Sequence, residues 1–171
     1  MRPMLRATVV TILVAAGLLG PVAASAGAEG PWIAAEITGP AGTTRVAPAA
    51  INAAGVVVGA ARFPGHTQDT AFRWENGTMT ELQQPVGSFR SRAADVNDAG
   101  VIVGSADFPT MVLNSGVAAV RWTATGSSSV VTKLPYNFTG VEDFSQLGSA
   151  ALGINEQGLI TGGAGQLLTN P

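Results

Sequence analysis

The sequence predicts an all-β protein built from tandem four-stranded antiparallel repeats. A nine-residue phrase occurs three times, beginning at Ile51, Val96 and Ile154, and reads aliphatic-Asn-x-x-Gly, two aliphatic residues, one further residue and Gly. Such repetition is typical of a modular array. An apolar, β-branched or aliphatic run follows each Asn-x-x-Gly, and no sustained helical period with caps occurs after the N-terminal segment.

The N-terminal segment has the pattern of an export signal. Two arginines precede a short apolar run, Ala7 to Leu19, and small residues at 24–26 provide a cleavage site. The run is shorter than the about 20 residues that a spanning helix needs. We therefore expect residues 1–26 to be a Sec signal peptide cleaved after Ala26 or Ala28. The protein would then be secreted, with no stable membrane span after cleavage.

Charge and cysteine content narrow the class of partner. The leader contains two of the nine basic residues and none of the eleven acidic ones, which leaves seven basic against eleven acidic residues. A weakly acidic chain lacks the basic patch that nucleic acid or anionic lipid requires, so we expect no nucleic-acid partner. The chain has no cysteine, so an apolar core must stabilise the exported fold. No motif indicates a cofactor.

Each phrase predicts a hairpin turn followed by a core strand, because Asn and Gly tolerate the positive φ of tight turns. Continuous runs such as Val56-Val57-Val58 suit strands that are covered on both faces. A first strand leads into each Asn. The expected second, third and fourth strands are Val56–Ala61, Thr70–Glu75 and Thr78–Leu82 in the first unit, and Val101–Ala106, Ala118–Thr123 and Ser129–Leu134 in the second.

The spacing of the phrases gives the size of the unit. Asn52 and Asn97 are 45 residues apart, and Asn97 and Asn155 are 58 apart. A four-stranded unit of about 45 residues has the size of one β-propeller blade, so we expect a propeller-like but incomplete array. The expected divisions are a leader at 1–26, an N-terminal strand region or partial repeat at 27–46, repeat 1 at 47–90, repeat 2 with long loops at 91–147, and partial repeat 3 at 148–171.

Eleven residues recur at equivalent positions, and we expect them to have structural roles. They are Asn52, Gly55, Gly59, Trp74, Asn97, Gly100, Gly104, Trp122, Asn155, Gly158 and Gly162. Equivalence favours packing between neighbouring units for the two tryptophans.

The repeat resembles the HAF-type extracellular repeat of secreted bacterial proteins. That repeat joins an Ile-Asn-x-x-Gly-x-x-x-Gly phrase to a downstream His-Ala-Phe-x-Trp-x-x-Gly segment, which residues 71–77 match closely. The family's His position holds Thr70 in the first unit and Ala118 in the second, and Val120 replaces Phe. The resemblance extends from about residue 48 to 163. It implies a propeller-like or stacked β-repeat of undetermined molecular function.

One loop is the candidate ligand site. The loop from Tyr136 to Gln146 combines two acids with aromatic residues, as a carbohydrate site would. Adjacent residues on an extended chain point to opposite faces, so the two acids do not converge unaided. The candidate residues are Tyr136, Phe138, Glu142, Asp143 and Phe144.

Two further patterns leave alternatives open. The segment beginning at Asp95 echoes the start of a calcium loop, but Ala99 and Ala106 stand where ligands belong, which favours a simple turn. His66 lies near Asp69, but a single histidine without cysteine is a poor zinc site, which favours a surface position. We expect no metal site and no catalytic residue.

The expected function is that of a secreted, non-enzymatic extracellular binding or surface-structural module with an unknown protein or glycan partner. The alternative is a carbohydrate-active or other enzyme on a propeller scaffold. A third unit begins without its Phe-x-Trp strand, so we expect either a homo-oligomer or missing further repeats.

Overall fold

A computed structural model describes residues 11–14, 33–109, 116–125, 128–134 and 147–166. Within these residues the chain is all-β and contains no helix. Two four-stranded and two two-stranded sheets are present, and every strand pair is antiparallel. The prediction of an all-β chain with four-stranded antiparallel sheets is therefore confirmed.

The strands follow one another in space in their chain order. Sheet 1 contains β3 (Arg45–Ile51), β4 (Val57–Arg62), β5 (Thr70–Glu75) and β6 (Thr78–Glu81). Sheet 2 contains β7 (Arg90–Val96), β8 (Ile102–Phe108), β9 (Gly116–Thr125) and β10 (Ser128–Lys133). An N-terminal two-stranded sheet pairs β1 (Thr11–Val14) with β2 (Ile33–Glu36), and the C-terminal hairpin pairs β11 (Leu147–Ile154) with β12 (Ile160–Gln166). The predicted phrase thus lies at the turns β3–β4, β7–β8 and β11–β12.

The second glycine of each phrase permits a close approach of two strands. A Cβ atom at Gly59 or Gly104 would lie 2.2 or 2.0 Å from a carbonyl oxygen of the facing strand, and 2.2 Å at Gly162. The pairing register shifts beside each of these contacts, as in a β-bulge. Only glycine fits there without moving the backbone.

Sheets 1 and 2 pack face to face across one apolar core. Val56, Val58 and Leu82 of sheet 1 meet residues of sheet 2 that include Ile102 and Trp122. On the opposite face of sheet 1, a second core contains Ile37, Val57, Phe72 and Met79. The C-terminal hairpin packs on the outer face of sheet 2 through Val103, Ala119 and Ala151. Val57 and Val58 point to opposite faces of β4, and both are buried because each face of sheet 1 is covered.

The segment before sheet 1 repeats the segment before sheet 2. Ile37, Pro40 and Gly42 stand 45 residues before Leu82, Pro85 and Gly87. The backbone N–H of Thr43 donates to Pro40 O and that of Ser88 to Pro85 O, both at 3.0 Å. Ile37 and Leu82 are both buried. By this equivalence, β2 has the position of the fourth strand of a preceding unit, and β1 that of its third strand.

Strand β1 lies within the segment predicted to be the leader, and export remains a prediction. Among the described residues, no helix is long and apolar enough to cross a membrane.

Candidate functional site

The three Asn turns share one internal hydrogen-bonding pattern. The side-chain Oδ1 of Asn52, Asn97 and Asn155 accepts from the backbone N–H four residues later, at 2.9, 2.9 and 2.8 Å. The N–H of the glycine three residues later donates to the same asparagine's carbonyl at 3.0 Å in each turn. Each of these glycines has a φ of 75 to 80°. The amide oxygen thus closes the turn, and the glycine supplies the left-handed conformation that the turn needs.

The amide nitrogens join consecutive units. Asn52 Nδ2 donates to the carbonyl of Asn97 at 3.0 Å, and Asn97 Nδ2 donates to the carbonyl of Asn155 at 3.1 Å. Asn52 and Asn97 therefore each use the side-chain oxygen within their own turn and the side-chain nitrogen to bind the next turn. We call this row of three turns the Asn ladder.

An acidic side chain adds a second rung beside each amide contact. The N–H of Ala53 donates to Asp98 Oδ1 at 2.8 Å, and the N–H of Asp98 donates to Glu156 Oε2 at 2.9 Å. Both acids directly follow the asparagine of their turn. Hydrogen bonds to ionised acceptors are about twice as strong as neutral ones, so this rung fixes the register between units.

A buried serine makes the equivalent contact deeper in each junction. The N–H of Ala71 in β5 donates to Ser91 Oγ at 3.0 Å, and the N–H of Ala119 in β9 donates to Ser149 Oγ at 2.9 Å. Each serine stands six residues before its asparagine and is buried. A buried backbone N–H needs an acceptor, and the next unit supplies it.

Some further contacts are described at only one of the two junctions. Trp122 is fully buried between the sheets, and its Nε1–H donates to the carbonyl of Gln83 in sheet 1 at 2.8 Å. At the other junction, the N–H of Ile154 donates to Asp95 Oδ2 at 2.8 Å. Trp74, the tryptophan of sheet 1, is only half-buried, and its buried Nε1 has no partner among the described residues.

The Asn ladder has a direction. In the first unit the acid position holds Ala53 and the serine position holds Val46, so this unit lacks both side-chain acceptors. In the third unit the donors are present, but Asn155 Nδ2 and the N–H of Glu156 have no partner among the residues that the structure describes. Side-chain acceptors are missing at one end of the row, and at the other end these two donors have no partner within residues 11–14, 33–109, 116–125, 128–134 and 147–166.

Buried acids at the opposite ends of the sheets are neutralised by arginines. Asp69 is 4% exposed, and its carboxylate contacts Arg45 Nη1 at 2.6 Å and Arg62 Nη2 at 2.9 Å. Asp107 is 3% exposed and is paired with Arg90. A buried carboxylate without such a partner would strongly destabilise the fold.

The structure shows the contacts of Asp95, Asp69 and His66, for which the sequence left more than one interpretation open. Both carboxylate oxygens of Asp95 accept hydrogen bonds from backbone N–H groups, one of Val96 and one of Ile154. The segment therefore forms a turn that also binds the C-terminal hairpin. Asp69 is held by arginines, and His66 lies instead beside Glu81, with 3.6 Å between Nδ1 and Oε1. Within the described ranges, no group of three or more His, Cys, Asp or Glu residues is placed to hold a metal ion.

The loop at residues 136–146 is the predicted ligand site. Its candidate residues, Tyr136, Phe138, Glu142, Asp143 and Phe144, lie outside the described residues. Their assignment as a ligand site stays a prediction.

A cavity of about 630 Å³ opens between sheet 2 and the C-terminal hairpin. Its walls include Ala119 and Leu134 of sheet 2, Ala151 of β11, and Ile160 and Ala164 of β12. At the first junction, the equivalent residues Ala71 and Leu82 pack against Val120 and Trp122. The cavity therefore occupies the position that the third strand of sheet 2 fills at the first junction. The described lining contains no acid, base or histidine.

The acceptors Asp98, Glu156, Ser91 and Ser149 are not among the residues predicted from the sequence. Aligning the units on their asparagines reveals these residues, because acids directly follow the second and third asparagines and serines precede them by six residues.

A scan against protein-family models, a search of curated proteins and a search of solved structures found no match.

Proposed function

We propose that this protein is a secreted, non-enzymatic repeat protein whose units are propeller-like blades of the HAF type. Its role would be that of an extracellular binding or surface-structural module. The observation that carries the proposal is that both junctions between units use the same three hydrogen bonds at equivalent residues. A constant step from one unit to the next is what a propeller or a stacked array requires.

The use of the polar groups favours a scaffold over an enzyme. An active site gathers titratable groups with perturbed surroundings in one concave pocket. Here Asp98 and Glu156 accept from the neighbouring turn, Asp95 spans a junction, and Asp69 and Asp107 are paired with arginines. The described lining of the cavity at the C-terminal hairpin consists of small and aliphatic residues. Asp95, Asp98 and Glu156 therefore bind a neighbouring unit, whereas Asp69 and Asp107 are each neutralised within their own unit.

The export part of the proposal is tested by expressing the full chain in a bacterial host. We expect the chain in the medium, with an intact mass that corresponds to cleavage after Ala26 or Ala28. A control variant, Leu13→Arg, places a charge in the apolar run and should leave the chain unprocessed inside the cell. Recovery of unprocessed wild-type chain in the cytosol would contradict export.

The geometric part is tested by an experimental structure of the secreted chain. Propeller-like blades predict that one rotation about one axis superposes sheet 1 on sheet 2 and β7–β8 on β11–β12. Two unrelated rotations would exclude a propeller and leave an irregular stack.

A carbohydrate-active protein is the second candidate. Repeat 2 is longer than repeat 1, and its additional residues include the acidic and aromatic loop at 136–146. Long loops on repeat scaffolds often carry binding sites. A glycan panel probed with the wild-type chain and with the double variant Glu142→Gln, Asp143→Asn tests this candidate. Binding or hydrolysis that the double variant loses would favour it, and no signal with either chain would exclude it for the glycans tested.

A further inference from the structure

The tip of the β5–β6 hairpin consists of Asn76 and Gly77. Glu75 pairs with Thr78, so these two residues alone connect the strands. Both are exposed, and their φ angles of 49 and 81° are those that a tight two-residue hairpin turn requires. Asn76 is also the only asparagine in the sequence that a glycine follows directly. The hairpin tip therefore differs in both sequence and conformation from the turns of the Asn ladder.

The side chain of Asn76 is held less firmly than those of the ladder asparagines. It makes no hydrogen bond with the residues that the structure describes, whereas the ladder oxygens each accept from the backbone N–H four residues later. The nitrogens of Asn52 and Asn97 bind the next turn as well. The space beside Gly77 is open, because a Cβ atom built there would meet no atom within 4 Å.

We propose that Asn76 is a site of spontaneous deamidation, in which the backbone of Gly77 is the nucleophile. The amide nitrogen of Gly77 attacks Cγ of Asn76, and the new N–Cγ bond closes a succinimide ring. The Cγ–Nδ2 bond breaks, and Nδ2 leaves as ammonia with the proton of the attacking nitrogen. Water then opens the ring at one of its two carbonyl carbons. Nothing is oxidised or reduced, and water is the only co-reactant.

The position of the turn explains why the reaction is expected at Asn76. Ring closure requires a rotation about the Cα–C bond of Asn76, which takes this residue out of its turn conformation. β6 has only four residues and lies at the edge of sheet 1, so the tip can open locally. Glycine also places no Cβ beside the attacking nitrogen. In a ladder turn the same rotation would break at least one hydrogen bond, which corresponds to about tenfold in an equilibrium constant.

The two products should affect the hairpin differently. Ring opening at Cγ leaves aspartate, which suits the same turn as asparagine and adds a charge beside Glu75, whose carboxylate binds Arg73 at 2.7 Å. Opening at the main-chain carbonyl leaves isoaspartate, whose backbone is one atom longer. That atom shifts Met79 relative to Trp74, with which it is paired. Because Met79 is buried in the second core, the isoaspartate form should unfold at a lower temperature.

The test is a timed incubation of the purified chain at neutral pH, followed by peptide mapping with mass spectrometry. We expect a mixture of aspartate and isoaspartate at position 76, formed at least about tenfold faster than at Asn97 or Asn155. A rate at Asn76 no higher than at these two residues would overturn the site. Aspartate without isoaspartate would overturn the succinimide route. This inference goes beyond the proposed function and does not depend on export.

The variant Ala53→Gly separates the effect of the sequence from that of the structure. It places a glycine after Asn52, whose amide is bound within the ladder. Ala53 is exposed, so the variant should fold, which thermal unfolding verifies. We expect Asn52 of A53G to react at least about tenfold more slowly than Asn76 in the same sample, and equally fast in urea. Equal rates in the folded chain, or a difference that persists in urea, would overturn the role of the exposed turn.

Discussion

The junction between sheets 1 and 2 and the outer side of the C-terminal hairpin present the same phrase in opposite states. At the junction, Asn52 is half-buried, its amide nitrogen is bonded to the next turn, and Val56 is covered. On the hairpin, Asn155 and Leu159 are exposed, and the amide nitrogen has no described partner. The difference shows that the phrase has two separable functions. Its oxygen and glycines build a turn in either place, whereas its nitrogen and aliphatic residues contribute only when another unit is present.

The largest effect on stability should come from the tryptophan at the closed junction. Trp122→Ala removes a fully buried side chain and the hydrogen bond to Gln83 O, which should lower the free energy of unfolding by about 3–5 kcal/mol. Trp74→Ala is the matched variant, and it should cost clearly less because Trp74 is half-buried and its Nε1 has no described partner. Urea unfolding of both variants measures the difference. Equal losses would contradict the unequal packing of the two tryptophans.

Substitutions of the two glycines of one phrase should lower the free energy of unfolding by different amounts, because each glycine is required for a different physical reason. Gly104→Ala places a Cβ atom about half of normal contact distance from a backbone oxygen, so the strands must separate, at a cost of at least about 2 kcal/mol. Gly100→Ala meets no atom within 4 Å but requires a φ of 75°, which costs about 1–2 kcal/mol. Thermal and urea unfolding give both values. A larger loss at Gly100 than at Gly104 would show that the bulge tolerates a side chain.

Substitutions of Asn97 and Asn155 should distinguish the stability that comes from the turn from the stability that comes from the contact between units. Asn97→Ala removes a buried side chain that bonds within its turn and to Asn155 O, for an expected loss of about 2 kcal/mol. Asn155→Ala removes only a turn contact at an exposed site and should cost about 1 kcal/mol or less. The variants Asn97→Asp and Asn155→Asp retain the turn oxygen, so the first should be the more destabilised of the two. The same loss in both Asp variants would mean that the inter-unit nitrogen contributes nothing.

The serine contacts between units should have a smaller effect than Asn97, because each serine accepts one hydrogen bond from the neighbouring unit. Ser91→Ala leaves the N–H of Ala71 buried without its acceptor, which should cost about 1–2 kcal/mol. Ser149→Ala removes the equivalent contact at the second junction, where the adjacent cavity leaves room for water. We expect a smaller loss there, measured by urea unfolding. A larger loss for Ser149→Ala would indicate that water does not replace the hydroxyl.

Much of the unit could be predicted from the sequence because its causes are local. Asn and Gly at fixed offsets determine the turn, and the run Val56-Val57-Val58 predicts a strand buried on both faces, as observed. The observed third strand of sheet 1 has the predicted bounds, Thr70–Glu75.

The contacts between units could not be predicted in the same way. The period of a repeat does not say which unit lies against which, so the partner of Asn52 Nδ2 was not evident. The pairing of Asp69 with Arg45 and Arg62 likewise depends on residues that are distant in sequence. The sequence predicts an N-terminal partial unit without the positions of its strands. A more precise prediction is possible from the similarity between Ile37–Arg45 and Leu82–Arg90, which are 45 residues apart.

The most direct test of the Asn ladder is hydrogen exchange of the side-chain amides of Asn52, Asn97 and Asn155, measured by NMR on one sample. The ladder predicts slow exchange for Asn52 and Asn97, whose nitrogens donate at 3.0 and 3.1 Å, and fast exchange for the exposed Asn155. Fast exchange of all three amides would contradict the account, because it would show that the amide nitrogens of Asn52 and Asn97 do not bind the next turn.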